Sequence, residues 1–232
     1  MPDKWIDVLT AIESLRTEKH DYQTIVIDTI DALEPLLWKY ICERDKRSSI
    51  DGDYGKGYVA ALDEWRVFLA ALERLRRDRH MGIVLIGHSW IRPFKSPNSP
   101  DYDRIELKLH NRAAGLLKEW CDNVFYAHYE TFSVEDKNGK NKGISSGARV
   151  IRTVHDATWD AKNRYSLPAM LPLSYDDYAA ARQTQQPEPL EKLKASIDEK
   201  IKKITDIKTL EKAKAFILKA GDDGRKLAQA ND

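Results

Sequence analysis

Two polar residues follow apolar runs that are typical of buried strands, and both suit phosphate chemistry. Residues 23–27 lead to Asp28 and Thr29, and residues 83–86 lead to His88. Ligands of parallel α/β sheets bind at the carboxyl ends of strands. An acid there could hold a water on Mg²⁺ beside a phosphate, and an imidazole could sense the phosphate or orient a water. Each residue also has a structural alternative, since Asp28 could cap the next helix and His88 could be a hydrogen-bonded strand-end histidine.

Positive charge is concentrated in two segments, which are candidate nucleic-acid contacts. Residues 137–164 contain seven Lys and Arg against two Asp, a net charge of +5. Their Gly-rich first part, which we expect to order on a phosphate backbone, contains Lys137, Lys140 and Lys142. The second segment interleaves rings and charges, as single-strand binding surfaces do, at Trp90, Arg92, Phe94 and Lys95. The alternative is that both are solvated surface loops.

Composition limits the class of protein. The 232 residues contain 38 Lys and Arg against 37 Asp and Glu, so only a local patch could attract nucleic acid. With 42% hydrophobic and 32% charged residues, the chain is globular rather than disordered. It has no apolar run of membrane-spanning length, no signal-peptide layout and two separated cysteines, Cys42 and Cys121. We therefore expect a cytoplasmic protein with no membrane partner.

The hydrophobic pattern predicts an α/β fold. Strands alternating with helical segments indicate a mostly parallel sheet, and the strands before Asp28 and His88 should be buried on both faces. Helices are predicted over residues 5–15, 31–44, 58–79 and 109–121, and further strands over 123–128 and 149–154. Polar, Gly-rich or Pro-rich composition predicts loops over residues 48–57, 89–103 and 133–147.

The C-terminal part differs in composition from the rest. Residues 183–189 contain Pro187 and Pro189 and are typical of a linker. Two apolar stripes with helical spacing follow within residues 190–232. The predicted organisation is a core over residues 1–182, a linker over 183–189 and a C-terminal α-helical hairpin and tail over 190–232.

The order of these motifs resembles that of the phage-encoded RecA-like ATP-binding proteins. This is an AAA-type P-loop family linked to single-strand annealing and recombination. The resemblance covers roughly residues 5–175 and depends on residues 21–29, 54–58, 83–88, 107–114, 119–122 and 160–165. It implies a RecA-like P-loop NTPase core with ATP and Mg²⁺ as cofactors.

The same resemblance implies roles for individual residues. Asp28 would be the Walker B acid, holding Mg²⁺ through water with Thr29 beside the nucleotide, and His88 would occupy the sensor position. Lys162 and Arg164 would reach the nucleotide of a neighbouring subunit in a homo-oligomeric ring or filament. The two basic segments would face single-stranded DNA, through Arg92, Phe94, Lys95, Lys137, Lys140 and Lys142.

The chain departs from the family pattern at the phosphate site. It contains no G-x-x-x-x-G-K-[ST] loop, and no acid that could activate water follows the second strand. Residues 52–57 look similar, but no Ser or Thr follows Lys56. We therefore expect either that the sequence begins downstream of these elements, as a fragment or late start of a longer ATPase, or that the protein has lost hydrolysis and kept the scaffold. Triphosphate affinity should fall sharply without the loop.

Two functions remain. The first is a phage-type ATP-binding protein that acts in DNA recombination or single-strand annealing in the bacterial host, inactive as an ATPase on its own. The alternative is a non-enzymatic DNA-binding or assembly subunit with a vestigial nucleotide site.

Overall fold

The computed structural model describes residues 2–97, 99–135 and 141–184. The chain divides into two units, Met1–Gln183 and Thr184–Asp232. The described helices are α1 (Trp5–Thr17), α2 (Ile30–Arg44), α3 (Gly52–Arg79), α4 (Asn111–Trp120) and α5 (Tyr175–Thr184). The four helices predicted from periodicity are confirmed as α1 to α4, whereas residues 185–189 of the predicted linker and the hairpin over 190–232 lie outside the described residues.

The strands form four small sheets. They are β1 (Thr24–Asp28), β2 (Gly82–Ile86), β3 (Ser89–Phe94), β4 (Tyr102–Leu107), β5 (Asn123–Val124), β6 (Tyr126–Glu135), β7 (Asn141–Arg152), β8 (Lys162–Asn163) and β9 (Met170–Pro172). β1 and β2 are parallel, whereas the pairs β3–β4, β5–β8, β6–β7 and β7–β9 are antiparallel. The fold is α/β, but in the described part of the chain β1 and β2 are the one parallel pair of strands, apart from an isolated parallel bridge between Ile105 and Trp159.

The core lies among the first four helices and is centred on aromatic rings. Trp5 of α1 lies 5.4 Å from Trp65 of α3, centroid to centroid, and Phe68 packs against both. None of the three is more than 1% exposed, and full burial of such a side chain contributes roughly 1.5–3 kcal/mol. Trp65 of α3 is therefore a central residue of the core.

The parallel sheet covers this core with one face. Ile25, Ile27, Ile83 and Leu85 pack against the core, while the other face exposes Val26 (55%), Val84 (44%) and Ile86 (41%). Burial alternates along both strands. The prediction that these strands are buried on both faces is wrong, because among the described residues the helical core covers only one.

Two segments predicted as loops form antiparallel hairpins. Residues 89–103 contain β3 and the start of β4, with Pro93 inside β3. A strand with a single neighbour tolerates a proline, since one of its edges needs no N–H donor. Most of residues 133–147 belong to β6 and β7. In the described ranges, no helix is long and apolar enough to cross a membrane.

The loop predicted over residues 48–57 is confirmed in part. α3 is assigned from Gly52, but Asp53, Tyr54 and Gly55 have φ values of 52°, 56° and 75°. Regular helical geometry therefore begins only after Gly55.

Candidate functional site

The site is built at the carboxyl end of the parallel sheet. The register pairs Asp28 with Ile86, so Asp28 ends β1 and His88 lies two residues beyond the end of β2. The carboxyl ends of parallel strands meet at one edge of a sheet. Asp28 and His88 therefore lie at the same edge of the β1–β2 sheet.

Asp28 and Thr29 have separate tasks at the start of α2. Thr29 is the N-cap residue, and its Oγ1 accepts a hydrogen bond from Ala32 N–H at 3.3 Å. Asp28 is exposed, and its carboxylate makes no hydrogen bond or ion pair to any described residue. The alternative that Asp28 caps the helix is therefore wrong, because Thr29 does so and leaves the carboxylate open to a ligand.

His88 is held by Asp31, which sequence reasoning missed. The His88 backbone N–H donates to Asp31 Oδ1 at 3.0 Å, and His88 Nδ1 lies 3.0 Å from Asp31 Oδ2. Burial raises the pKa of Asp31, but the hydrogen bonds from His88 and Thr29 outweigh it and hold that pKa below its ordinary value. The available signal was local, since Asp31 lies in the first turn after Thr29.

Asp28 suits a magnesium ion that arrives with phosphates. Mg²⁺ keeps several waters and is usually bound through one or two carboxylates plus substrate phosphates. Asp28 offers one such carboxylate, whereas Asp31 is engaged by His88. No group of three or more His, Cys, Asp or Glu that could hold a metal ion exists among the described residues. The single open carboxylate of Asp28 therefore fits an ion that arrives with a nucleotide.

A second carboxylate of α2 fixes the segment after β4. Both oxygens of Glu34 accept the backbone N–H of His110, at 3.0 and 3.1 Å. Glu34 is only 6% exposed, and burial raises its pKa although the bond from His110 acts in the opposite sense. Because His88 precedes β3 and His110 follows β4, Asp31 and Glu34 anchor both ends of the β3–β4 hairpin to α2.

The β3–β4 hairpin contains the first predicted nucleic-acid residues. The Arg92 guanidinium lies 4.0 Å from the centroid of the Trp90 ring and donates to Asn111 Oδ1 at 2.5 Å. Phe94 packs against Tyr102 at 5.3 Å, and Lys95 is exposed after the strand. Arg92 and Phe94 thus lie on one face of a strand, with alternating burial, rather than in a loop.

Lys162 and Arg164, which are predicted to act across a subunit interface, make contacts within the chain. Lys162 Nζ donates to the backbone oxygens of Glu119 (2.7 Å) and Cys121 (2.6 Å), and also to that of Lys118 (3.3 Å). These carbonyls lie at the C-terminus of α4, where a cation is favourable. Arg164 pairs with Asp122 at 2.9 Å. No described contact joins Lys162 or Arg164 to Asp28 or His88, and their role across a subunit interface stays a prediction.

Asp160, in the same motif, binds two elements together. Its carboxylate forms ion pairs with Arg104 of β4 and Lys118 of α4, and His155 lies 3.4 Å away. Burial raises the pKa of Asp160, but the Lys118 and Arg104 charges lower it overall. The motif over residues 160–164 therefore joins α4 to β4.

The second predicted nucleic-acid segment is described only in part. Lys137 and Lys140 lie outside the described residues, and the Lys142 backbone pairs with Val134 in the β6–β7 hairpin. Their contact with nucleic acid stays a prediction.

Comparison with known proteins gives one match. The model of a family described as an AAA domain matches residues 1–165. No curated protein and no solved structure matches the chain.

Proposed function

The chain belongs to the AAA domain family, and on that premise we propose that it is an ATP-binding protein of phage type that acts in DNA recombination or single-strand annealing. The family indicates nucleotide binding and a P-loop NTPase-like α/β fold. The observation that supports a nucleotide site in this chain is the meeting of Asp28 and His88 at one edge of the β1–β2 sheet.

Each residue at this edge would make a different contact with the bound nucleotide. The open carboxylate of Asp28 would hold a water of the magnesium ion, which neutralises phosphate charge when bound. His88 is oriented by Asp31 through Nδ1, so Nε2 is the ring nitrogen left for a phosphate oxygen or a water. Thr29 holds the start of α2, whose N-terminal dipole favours an anion.

Single-stranded DNA is the proposed partner, in a homo-oligomeric ring or filament. The half-buried face of β3 presents Trp90, Arg92 and Phe94 with an arginine lying over an aromatic ring. Such faces bind unpaired bases by stacking and backbone phosphates by charge. Lys137, Lys140 and Lys142 would add contacts to the same partner.

Nucleotide binding by the full chain tests the proposal. A fluorescent ATP analogue is titrated with Mg²⁺ against the protein and against Asp28→Asn, which keeps the side-chain shape. Asp63→Asn is the matched control, since Asp63 pairs with Arg66 on an exposed face of α3. We expect Asp28→Asn to weaken binding and the control to leave it unchanged. Equal affinity for all three proteins would overturn the assignment of Asp28.

The second candidate is a non-enzymatic DNA-binding or assembly subunit with a vestigial nucleotide site. It is favoured by the absence of a G-x-x-x-x-G-K-[ST] loop from the 232 residues. Residues 52–57 cannot replace that loop, because they follow α2 rather than a strand. DNA binding with no measurable ATP binding would select this candidate.

A further inference from the structure

We propose that an aromatic stack at the base of the β6–β7 hairpin is a second DNA-binding site, which takes a nucleobase and the phosphate next to it. The stack is defined as Tyr126, His128 and Trp159, with Arg152 over it. The inference rests on the proposed single-stranded DNA partner and assigns it a site outside the predicted residues.

The three rings form a compact cluster in which the Tyr126 and His128 rings are parallel and Trp159 lies against both. The Tyr126 and His128 rings lie 4.8 Å apart at an interplanar angle of 7°. The Trp159 ring lies 5.9 Å from Tyr126 at 26° and 6.3 Å from His128. All three are half-buried and lie outside the helical core. Flat rings that keep part of their surface in solvent are the usual platform for an unpaired base.

Arg152 is held in place but keeps donors free. Its guanidinium lies 5.5 Å from the Trp159 ring centroid, and its Nε donates to His128 Nε2 at 3.3 Å. His128 Nδ1 lies 2.8 Å from the Tyr129 carbonyl oxygen, so Nδ1 carries the proton and Nε2 accepts. The two terminal amino groups of Arg152 have no hydrogen bond or ion pair to a described residue. A phosphate is the ligand that such a planar fork binds best.

The neighbouring acids form no ion pair with this arginine. Asp156 accepts hydrogen bonds from the backbone N–H and the hydroxyl of Thr158, at 2.9 and 2.7 Å. Asp160 is paired with Arg104 and Lys118. The Arg152 charge helps to lower the Asp156 pKa, but no ion pair joins the two residues and the terminal amino groups of Arg152 stay open beside the rings.

A base with its phosphate could come from a free nucleotide or from single-stranded DNA. The main-chain contacts of the stack with β4 favour single-stranded DNA. Ile105 N–H donates to the Thr158 carbonyl at 2.8 Å, and Ile105 and Trp159 form a parallel bridge. Ile105 belongs to β4, the partner of the strand that contains Arg92 and Phe94. The stack is therefore fixed to the hairpin proposed to bind DNA.

Fluorescence anisotropy of labelled oligo(dT) with the full chain tests the stack. The variants are Tyr126→Leu and Arg152→Met. The matched controls are Tyr129→Leu, an exposed ring farther along the same hairpin, and Arg76→Met, whose ion pair with Glu73 lies on an exposed face of α3. We expect Tyr126→Leu to weaken binding by about 5- to 150-fold, the effect of losing one stacked base. Arg152→Met should also reduce the log–log salt slope by about 0.7, the value for one phosphate contact. The controls should change neither quantity.

The outcomes separate this site from the proposed function. If the wild type and all four variants bind oligo(dT) with equal affinity, the stack is not a binding site, and the proposal of a DNA partner is unaffected. No oligo(dT) binding by the wild type overturns both. If Tyr126→Leu weakens the binding of free ATP and leaves the binding of oligo(dT) unchanged, the stack binds a nucleotide, which overturns its assignment to single-stranded DNA. Arg152→Met keeps the test decisive if Tyr126→Leu fails to fold, which circular dichroism reports.

Discussion

Asp31 and His88 are 57 positions apart in the chain and are joined by a backbone and a side-chain hydrogen bond, each 3.0 Å long. The pair links the first turn of α2, which follows β1, to the segment that follows β2. Asp31 thereby fixes the orientation of the imidazole, while His88 remains largely exposed at 69% of its side chain. Asp31 thus fixes His88 at this edge of the β1–β2 sheet, while its own side chain is only 10% exposed and is not open to a ligand.

Asp31→Asn should lower the free energy of unfolding by about 1.5–3 kcal/mol near neutral pH, the range for a hydrogen bond to a charged group. The folded-state pKa of Asp31 lies below its ordinary value of 3.8. The carboxylate therefore contributes its full stability above that value and loses it as the pH falls through the folded pKa. Urea unfolding at several pH values should show the gap between wild type and variant closing under acid conditions. A gap that is constant with pH would contradict the assignment.

Lys162→Met should destabilise the fold by about 1.5–3 kcal/mol, because three backbone oxygens at the end of α4 lose a charged donor. Arg164→Met should change stability by about 0–1 kcal/mol, since its ion pair with Asp122 is exposed on both sides. Thermal unfolding of the two variants side by side measures the difference. If Lys162→Met keeps wild-type stability, the lysine is free for the role across a subunit interface.

Gly57→Ala should destabilise the protein by roughly 1–3 kcal/mol, the usual cost of inserting a group into a packed site. The added Cβ would lie 2.3 Å from the Ile50 carbonyl oxygen, which is backbone and cannot easily move. Gly115→Ala is the control, because a Cβ there meets nothing within 4 Å and α4 should gain about 0.5–1 kcal/mol. Denaturant unfolding of both variants checks the two opposite signs.

Local pattern predicted helices α1 to α4 and the strands β1 and β2, and hence the shared sheet edge of Asp28 and His88, but not α5, whose end lies in the predicted linker. It predicted the beginning of β6 and the end of β7 within the strands expected over 123–128 and 149–154. It failed for the β3–β4 hairpin and for the rest of β6 and β7, because Pro93 and the glycines at 139, 143 and 147 are typical of loops. It also missed both anchors of the β3–β4 hairpin. Asp31 and Glu34 bind backbone N–H groups far along the chain. Every residue type except proline has such a donor, so the sequence does not indicate which residue is the partner.

The contacts of Lys162 within the chain could not be predicted for the same reason, since its partners are main-chain atoms. A lysine in a basic motif is open to several interpretations from sequence, because charge and spacing do not reveal an intramolecular partner. Its acceptors are three main-chain carbonyls that only the folded end of α4 brings together.

ATP hydrolysis by the purified chain should be negligible. Positioning and charge stabilisation supply nearly all the catalysis of phosphoryl transfer, and the 232 residues contain no G-x-x-x-x-G-K-[ST] loop. Phosphate release is measured with and without Mg²⁺ and single-stranded DNA. Steady turnover that disappears in Asp28→Ala would contradict this prediction and show a complete catalytic site.

DNA binding should prefer single strands and depend steeply on salt. Residues 137–164 have a net charge of +5, and each phosphate contact on a single strand contributes about −0.7 to the log–log salt slope. Replacing Lys137, Lys140 and Lys142 together by Gln should flatten that slope. Phe94→Ala should weaken binding with little change in slope, because stacking contributes roughly 1–3 kcal/mol per base and needs an unpaired base. Titrations with duplex and single strands over a range of salt concentrations separate the two effects. Equal affinity for both forms of DNA, unchanged by either substitution, would instead indicate that these segments dock a protein.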